Sequence, residues 1–597
     1  MPLFRGLSHL VFGGLDHLNS FLINLRTSAV HGRFSPTLAA DDVMWKTVIL
    51  PVMFSALAPS LGLTVLHCAG VAHEGRAFLL AGPSGSGKTT LAIALAQIGF
   101  HFLSDDRTLI SHNGTNLAAY GILPYAKLRR EGRHFFPDVR DIAPACQWGH
   151  EEATYILPGP VSNFSADLRP EPADIVFLER QSSPQFLATA VSPPVAAQRL
   201  EHGLLQETSD VINHQRQVLT ALSTRNCWAL QYGGSPHDVA QELKSFLLAP
   251  NRRPFNPPSV QTPVNQTVTV ARPDPLRRFT PTPFVECFGA MDRTLRIATN
   301  NPAILECLRR LFGPAPETSL SSPQFDWRII TGPDDVSKPP WPRMTAFSGP
   351  ALRFINVGQR SFIAVDLEAR EAVALLGGGL AEDEPGLVSI FIPALFYLCA
   401  PALGLLPITS ACVAKAGQGL LIFGESGSGK TTSSYFAQGE GLEFQSDQSV
   451  FLEFQGSKLQ AWGDFWPAAF RAASAQLFPE LLSRARVVNQ GDNSFLALAK
   501  SDHPVTMHAV KPTACIFLER GIATSPRLVP LPKLELGQRL GSFIPYKEEQ
   551  WFESERQRAL RALQELPAFR LTCKESSSAA RIYRSVFEMH QLLERQT

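Results

Sequence analysis

The chain is 597 residues long, too long for one ordinary hydrophobic core, so two or more domains are expected. Its 54 basic and 53 acidic residues leave a formal charge of +1, which makes no electrostatic case for nucleic acid or an anionic membrane as partner. A hydrophobic fraction of 45% excludes a disordered chain, and nine scattered cysteines without a CxxC pair suggest neither a zinc knuckle nor a disulfide framework, so a reducing cytoplasm is the expected setting.

The N-terminus, MPLFRGLSHLVFGGLDHL, is apolar but broken by Ser, His, Gly and Asp, a poor signal peptide. An uncharged run follows at 48–72, and a second at 386–414 is long enough to span a bilayer. Pro393, Pro401 and Pro407 interrupt the second run. A buried helix leading into a strand, used twice, explains both without a membrane.

After the first run comes FLLAGPSGSGKTTLAIAL at 78–95, and after the second LLIFGESGSGKTTSSYF at 420–436. Each apolar run reads as a strand, and each meets the pattern GxxxxGK[ST] before a helical stretch. Successive backbone N–H groups of such a loop face phosphates, its lysine reaches the β- and γ-phosphates, and its hydroxyl ligates magnesium. The candidate nucleotide-binding residues are Gly82, Ser84, Gly85, Ser86, Gly87, Lys88, Thr89 and Thr90. In the second loop they are Gly424, Glu425, Ser426, Gly427, Ser428, Gly429, Lys430, Thr431 and Thr432.

A carboxylate follows each lysine at one and the same interval: Asp105 after Lys88 and Asp447 after Lys430. A helix of about ten residues runs ~15 Å away from the phosphates. Gly99 or Gly441 turns the chain, and a strand of about five residues returns ~16 Å. The aspartate therefore arrives beside the loop, placed to hold magnesium or to act as a base on a phosphoryl acceptor.

The repeat extends beyond the loops. LGLTVLHCAGVAHEGRAFLLAGPSGSGKTT at 61–90 aligns with LGLLPITSACVAKAGQGLLIFGESGSGKTT at 403–432 without a gap, an offset of 342. FLSDD at 102–106 meets FQSDQ at 444–448, Arg129 meets Arg471, and VFLER at 176–180 meets IFLER at 516–520 at a nearly equal offset of 340. A steady offset implies a duplicated domain. The expected organisation is a first copy at 1–248, a Pro-rich linker at 249–283, an N-terminal subdomain of the second copy at 284–385 with little to match it in the first, and the second copy at 386–597. The expected class is α/β with a mixed sheet in each copy and nucleotide at the carboxyl edge of the central strands. Arg129 and Arg471, read as a loop–helix region, are candidate phosphate contacts because a guanidinium matches phosphate geometry. Lys127, Arg130 and Arg133 add positive charge near the first of them.

Taken together, His67, the loop Gly82–Thr89, Gly99 and the pair Asp105–Asp106 resemble the HPr kinase/phosphorylase family and its serine-kinase-like relatives. The resemblance is firm around the loop and the aspartate of each copy and loose over the rest. It implies a P-loop kinase core related to phosphoenolpyruvate carboxykinase, with ATP and Mg2+ as cofactors. By match, Asp105 is the general base toward a hydroxyl, Asp106 and Thr89 lie near magnesium, and His67 lies near the transferred phosphate. Thr431 and Asp447 are the metal candidates of the second copy. The departures are specific: Pro83 replaces an acidic residue, Thr409 stands at the position of His67, and Gln448 at that of Asp106. Neither copy carries a PVRPGRN-like signature, which argues against HPr as the acceptor. An NKxD motif for a GTPase and an LSGGQ-like motif for an ABC ATPase are both absent from the sequence. The expectation is an ATP-dependent phosphotransferase acting on a hydroxyl of a protein, peptide or small molecule, with chemistry in the first copy and nucleotide binding in the second. A non-catalytic ATP-binding regulator or scaffold is the alternative, and an internal pseudo-dimer of the two copies stays open.

Overall fold

The computed structural model describes residues 3–4, 9–16, 18–114, 116–139, 141, 146–148, 151–157, 168–249, 272, 279–315, 323–332, 338–342, 344–357, 361–500, 508–522, 525–545 and 550–594. Most of the Pro-rich segment expected at 249–283 lies outside them. The chain divides into two compact units. Unit 1 is Met1–Leu15 with Phe21–Phe279, and unit 2 is Asp16–Ser20 with Thr280–Thr597. Both belong to a mixed α/β class, with several sheets and many helices.

In unit 1 a six-stranded sheet is built from β1 (Cys68–His73), β2 (Arg76–Ala81), β3 (His101–Ser104), β4 (Glu171–Arg180), β5 (Gln185–Ala190) and β6 (Asn226–Gly233), in the order β5-β6-β4-β2-β1-β3. The strands β2, β4 and β6 run parallel, and β1, β3 and β5 pair antiparallel. The run FLLA in β2 is apolar throughout because both faces of the sheet are covered. Leu80 packs on one side with Leu91 and Leu95 of the helix α1 (Lys88–Gln97), and Leu79 on the other with Val218 and Leu222.

Unit 2 contains β7 (Ala411–Lys415), β8 (Gln418–Phe423), β9 (Glu443–Ser446), β10 (Lys511–Arg520), β11 (Arg527–Pro530) and β12 (Ala568–Cys573). Their order, β11-β12-β10-β8-β7-β9, and their pairing directions repeat those of unit 1 strand for strand. The helix α2 (Lys430–Phe436) follows the loop after β8, continued by a 3-10 turn at Ala437–Glu440.

The match also reaches further toward the N-terminus than the sequence suggests. Unit 2 has an eight-stranded sheet whose last four strands are Thr345–Ser348, Leu352–Val357, Ser361–Asp366 and Glu371–Gly377. Strands at Leu3–Phe4, Leu10–Asp16, Asn19–Asn24 and Ala29–Arg33 precede them by the same offset that separates the two loops, in the same neighbour order. The first copy was expected to hold little here, yet half the sheet has a counterpart. The other half, at Phe284–Ala290, Arg293–Thr299, Gly313–Pro314 and Phe325–Gly332, has none among the described residues of unit 1.

The two apolar runs differ in burial. Two helical stretches, Asp42–Leu61 and Glu384–Leu403, are long and apolar enough to cross a membrane. Each contains a π-helical turn, Trp45–Ile49 and Leu387–Phe391, just before a proline (Pro51, Pro393) that can accept no ordinary helical turn beneath it. Glu384–Leu403 is 78% buried, in a core where Phe396 meets Trp327 and Phe465. Asp42–Leu61 is only 22% buried, with Ala56 joining a small cluster of Val11, Phe21 and Ile23. A buried element used twice was expected; the stretch in unit 1 is instead mostly exposed.

Candidate functional site

Both glycine-rich loops connect a central parallel strand to a helix N-terminus, Gly82–Gly87 between β2 and α1 and Gly424–Gly429 between β8 and α2. Gly87 and Gly429 cap these helices at φ +89° and +99°, a conformation that only glycine adopts without cost. A Cβ at Gly87 would also collide with the hydroxyl of Tyr232, which donates to the Ser86 carbonyl. Lys88 Nζ donates to the carbonyls of Gly82 and Pro83 at 2.8 and 3.1 Å, and Lys430 Nζ to those of Gly424 and Glu425. Burial pulls both ammonium groups below their ordinary range. Ser86 Oγ and Ser428 Oγ are buried without a hydrogen-bond partner. Partly desolvated lysines hydrogen-bonded to loop carbonyls, with orphan hydroxyls beside them, fit a phosphate chain.

The aspartates arrive as the spacing requires. In unit 1, Asp105 and Asp106 directly follow β3, after the chain has turned at Gly99 with φ +107°. The Lys127 N–H donates to Asp105 Oδ2 at 2.6 Å. Burial pushes the Asp105 carboxyl up to about 7, with Asp106 adding to the rise. Asp106 lies 3.1 Å from Nδ1 of His67, and that hydrogen bond holds its carboxyl below the usual range. One cavity of 510 Å³ brings together His67, Lys88, Thr89, Asp105, Asp106 and Arg129. Arg129 ends a strand at Ala126–Arg129 rather than lying in a loop–helix region, and its Nη2 donates to Ser84 Oγ at 3.2 Å.

Unit 2 repeats the frame with different side chains. Asp447 follows β9 and is 1% exposed; it accepts from Thr431 Oγ1 at 3.2 Å and from the Ala469 N–H at 3.1 Å. Arg471 donates to Ser426 Oγ at 3.3 Å. Thr409 and Gln448 line the cavity at the positions of His67 and Asp106, so unit 2 has no imidazole or second carboxylate at those two places. Among the described residues no group of three or more His, Cys, Asp or Glu is arranged to hold a metal ion. Magnesium usually needs only one or two carboxylates plus phosphates and water, so the donor sets Thr89 with Asp106 and Thr431 with Asp447 suit it.

Several residues of these sites escape a reading of sequence. Tyr232 props the first loop. Arg180 and Arg520, the last residues of β4 and β10, line the two cavities; their recurrence in VFLER and IFLER was the available signal. Asp464 and Lys500 form an ion pair behind Asp447, with side chains 0% and 5% exposed. Lys500 Nζ also donates to the carbonyls of Gln445 and Asp464, while Asp464 Oδ2 has no partner. Burial, opposed by Lys500, leaves the Asp464 carboxyl pushed up to about 7. An acid inside the run GDFW at 463–466 was the hint, without a partner in view.

No protein-family model matches this chain, and no curated protein matches it. Among solved structures, the Hpr(Ser) kinase/phosphatase from Coxiella burnetii is similar over 31% of this chain and 91% of its own, at 11% identity and a TM-score of 0.17.

Proposed function

We propose that the chain is an ATP-dependent phosphotransferase built by tandem duplication of a P-loop kinase domain of HPr kinase/phosphorylase-like type. It transfers a phosphoryl group to a hydroxyl of a protein, peptide or small molecule, with transfer in unit 1 and nucleotide binding in unit 2. The observation that carries the reading is the shared cavity of unit 1, where His67, Lys88, Thr89, Asp105 and Asp106 line one space. In this reading Asp105 takes the proton of the acceptor hydroxyl as the new O–P bond forms and the bond to the departing ADP breaks. Lys88 and Arg129 offset the charge on the moving group. Magnesium, when bound, neutralises the β- and γ-phosphates; Thr89 and Asp106 would hold it in unit 1, and Thr431 and Asp447 in unit 2. Thr409 and Gln448 favour a regulatory, non-catalytic role for unit 2, because a proton acceptor lacks its supporting groups there.

Both loops retain every position of the phosphate-binding pattern, so two equivalents of ATP are expected per chain in calorimetry with magnesium. Lys88→Ala and Lys430→Ala should each remove one binding event. A wild-type chain that binds a single equivalent would make one loop vestigial. Transfer of labelled γ-phosphate, or phosphate release in its place, separates a kinase from a binder.

A further inference from the structure

The cavity around the loop of unit 2 measures 1160 Å³, against 510 Å³ around the loop of unit 1. Sites for one small ligand span roughly 300–1,000 Å³. One nucleotide therefore accounts for the first cavity and leaves space in the second. That space differs in chemistry from the loop end. Every charged residue of the lining (Glu425, Lys430, Asp447, Arg471, Arg520) belongs to the loop, to the aspartate beside it, or to an arginine that reaches it. The remaining lining is neutral.

One wall is apolar, made by Ile390, Pro393 and Tyr397 of the buried helical stretch together with Trp466 and Phe495. The rings of Tyr397 and Trp466 lie 5.7 Å apart. Two links tie this wall to the aspartate. Tyr397 shares a hydrogen bond with Ser449, two positions beyond Asp447. Trp466 stands three positions before Ala469, whose N–H holds the Asp447 carboxylate. The cavity of unit 1 has a different lining: beside its loop stand Lys127, Glu131 and His134.

We propose that this wall is a binding site for an uncharged ligand with an aromatic or acyl body, seated beside the glycine-rich loop of unit 2. An ionic body would lose its hydration against a wall with no counter-charge. An apolar one gains by leaving water, and aromatic rings add favourable edge and face contacts. Polar contacts for a hydroxyl or carbonyl on the ligand exist at Gln490, Asn493 and Ser494 on the same lining. Ser389 adds a buried hydroxyl without a partner. The site stands whether or not phosphoryl transfer occurs.

The probe is N-phenyl-1-naphthylamine, a neutral aromatic amine that fluoresces when it leaves water, titrated into the full-length chain without nucleotide. Saturable binding near one equivalent is expected, weakened at least tenfold by Trp466→Ala and by Ser494→Glu. Lys430→Ala should abolish ATP binding to this loop while leaving probe affinity within twofold, so the nucleotide reading and this one fail separately. Should circular dichroism show Trp466→Ala unfolded, Ser494→Glu decides alone, because position 494 is exposed and tolerates the change. Probe binding that survives Ser494→Glu in a folded protein, or no saturable binding to the wild type, overturns the proposal.

Discussion

Asp105→Asn is expected to abolish turnover while leaving ATP binding nearly intact. The substitution keeps the acceptor for the Lys127 N–H and leaves Lys88 and its loop untouched. In the proposed function it removes the proton acceptor, and losing a positioned base typically costs ~10²–10⁴ in rate. Because burial places the Asp105 carboxyl at about 7 rather than near 4, kcat/KM should rise as pH passes upward through about 7. The stability sign runs the other way. A carboxyl with a raised folded pKa stabilises the fold in its protonated form, and that contribution is lost as pH climbs from about 4 to about 7. Asp105→Asn should flatten this slope in thermal melts. Asp447→Asn should cost little turnover. Full activity in Asp105→Asn, or loss confined to Asp447→Asn, would reverse the assignment of the catalytic unit.

Lys500→Met should destabilise unit 2 by about 3–5 kcal/mol, the usual cost of removing one partner from a buried ion pair. Asp464 would lose its counter-ion in a place where water cannot replace it, and Asp447 would lose a nearby cation that favours its charged form. The penalty should be smallest at low pH. Asp464 already titrates near 7, and without Lys500 it rises further, so the protonated, neutral form dominates in acid and the cost appears as pH increases. Denaturant melts at pH 5.5 and 8.5 check this. The double variant Lys500→Met with Asp464→Leu should recover most of the loss, since replacing a whole buried pair by apolar groups is often neutral or better. Equal destabilisation at both pH values would mean the pair matters for packing rather than charge.

The local grammar of the loops was legible because it is short-range. Apolar run, glycine turn, helix, Gly99 or Gly441, strand and aspartate follow one another in immediate succession, and each step has its own backbone requirement. The strand order and the parallel pairing of β2 with β4 lay further off, and the fixed offset between VFLER and IFLER pointed to them only indirectly. What stayed hidden depends on contacts across sequence. The strands at Leu10–Asp16 and Asn19–Asn24 share few residues with Leu352–Val357 and Ser361–Asp366, so the sequence carries little trace of the match; backbone pairing preserves a sheet while side chains drift. Lys500 and Asp464 are well separated along the chain, and neither has a charged counterpart in unit 1 at the common offset. The apolar wall was unreadable for a different reason. Ile390, Pro393 and Tyr397 belong to a run apolar on all sides, and periodicity cannot say which of its faces meets a cavity and which meets a sheet.

Chromatographic behaviour follows from the helical stretch Asp42–Leu61. Apolar and only 22% buried, it presents Phe54 at 48% and Leu61 at 50% exposure to solvent. Salts that strengthen apolar association should raise retention on a phenyl resin and broaden the elution profile, and low concentrations of a mild non-ionic detergent should sharpen it. The paired stretch Glu384–Leu403 is the more apolar of the two and yet contributes little to this adhesion, because most of its side chains lie inside a core. Of the two helices, it is therefore the less hydrophobic one that offers large apolar side chains to a resin.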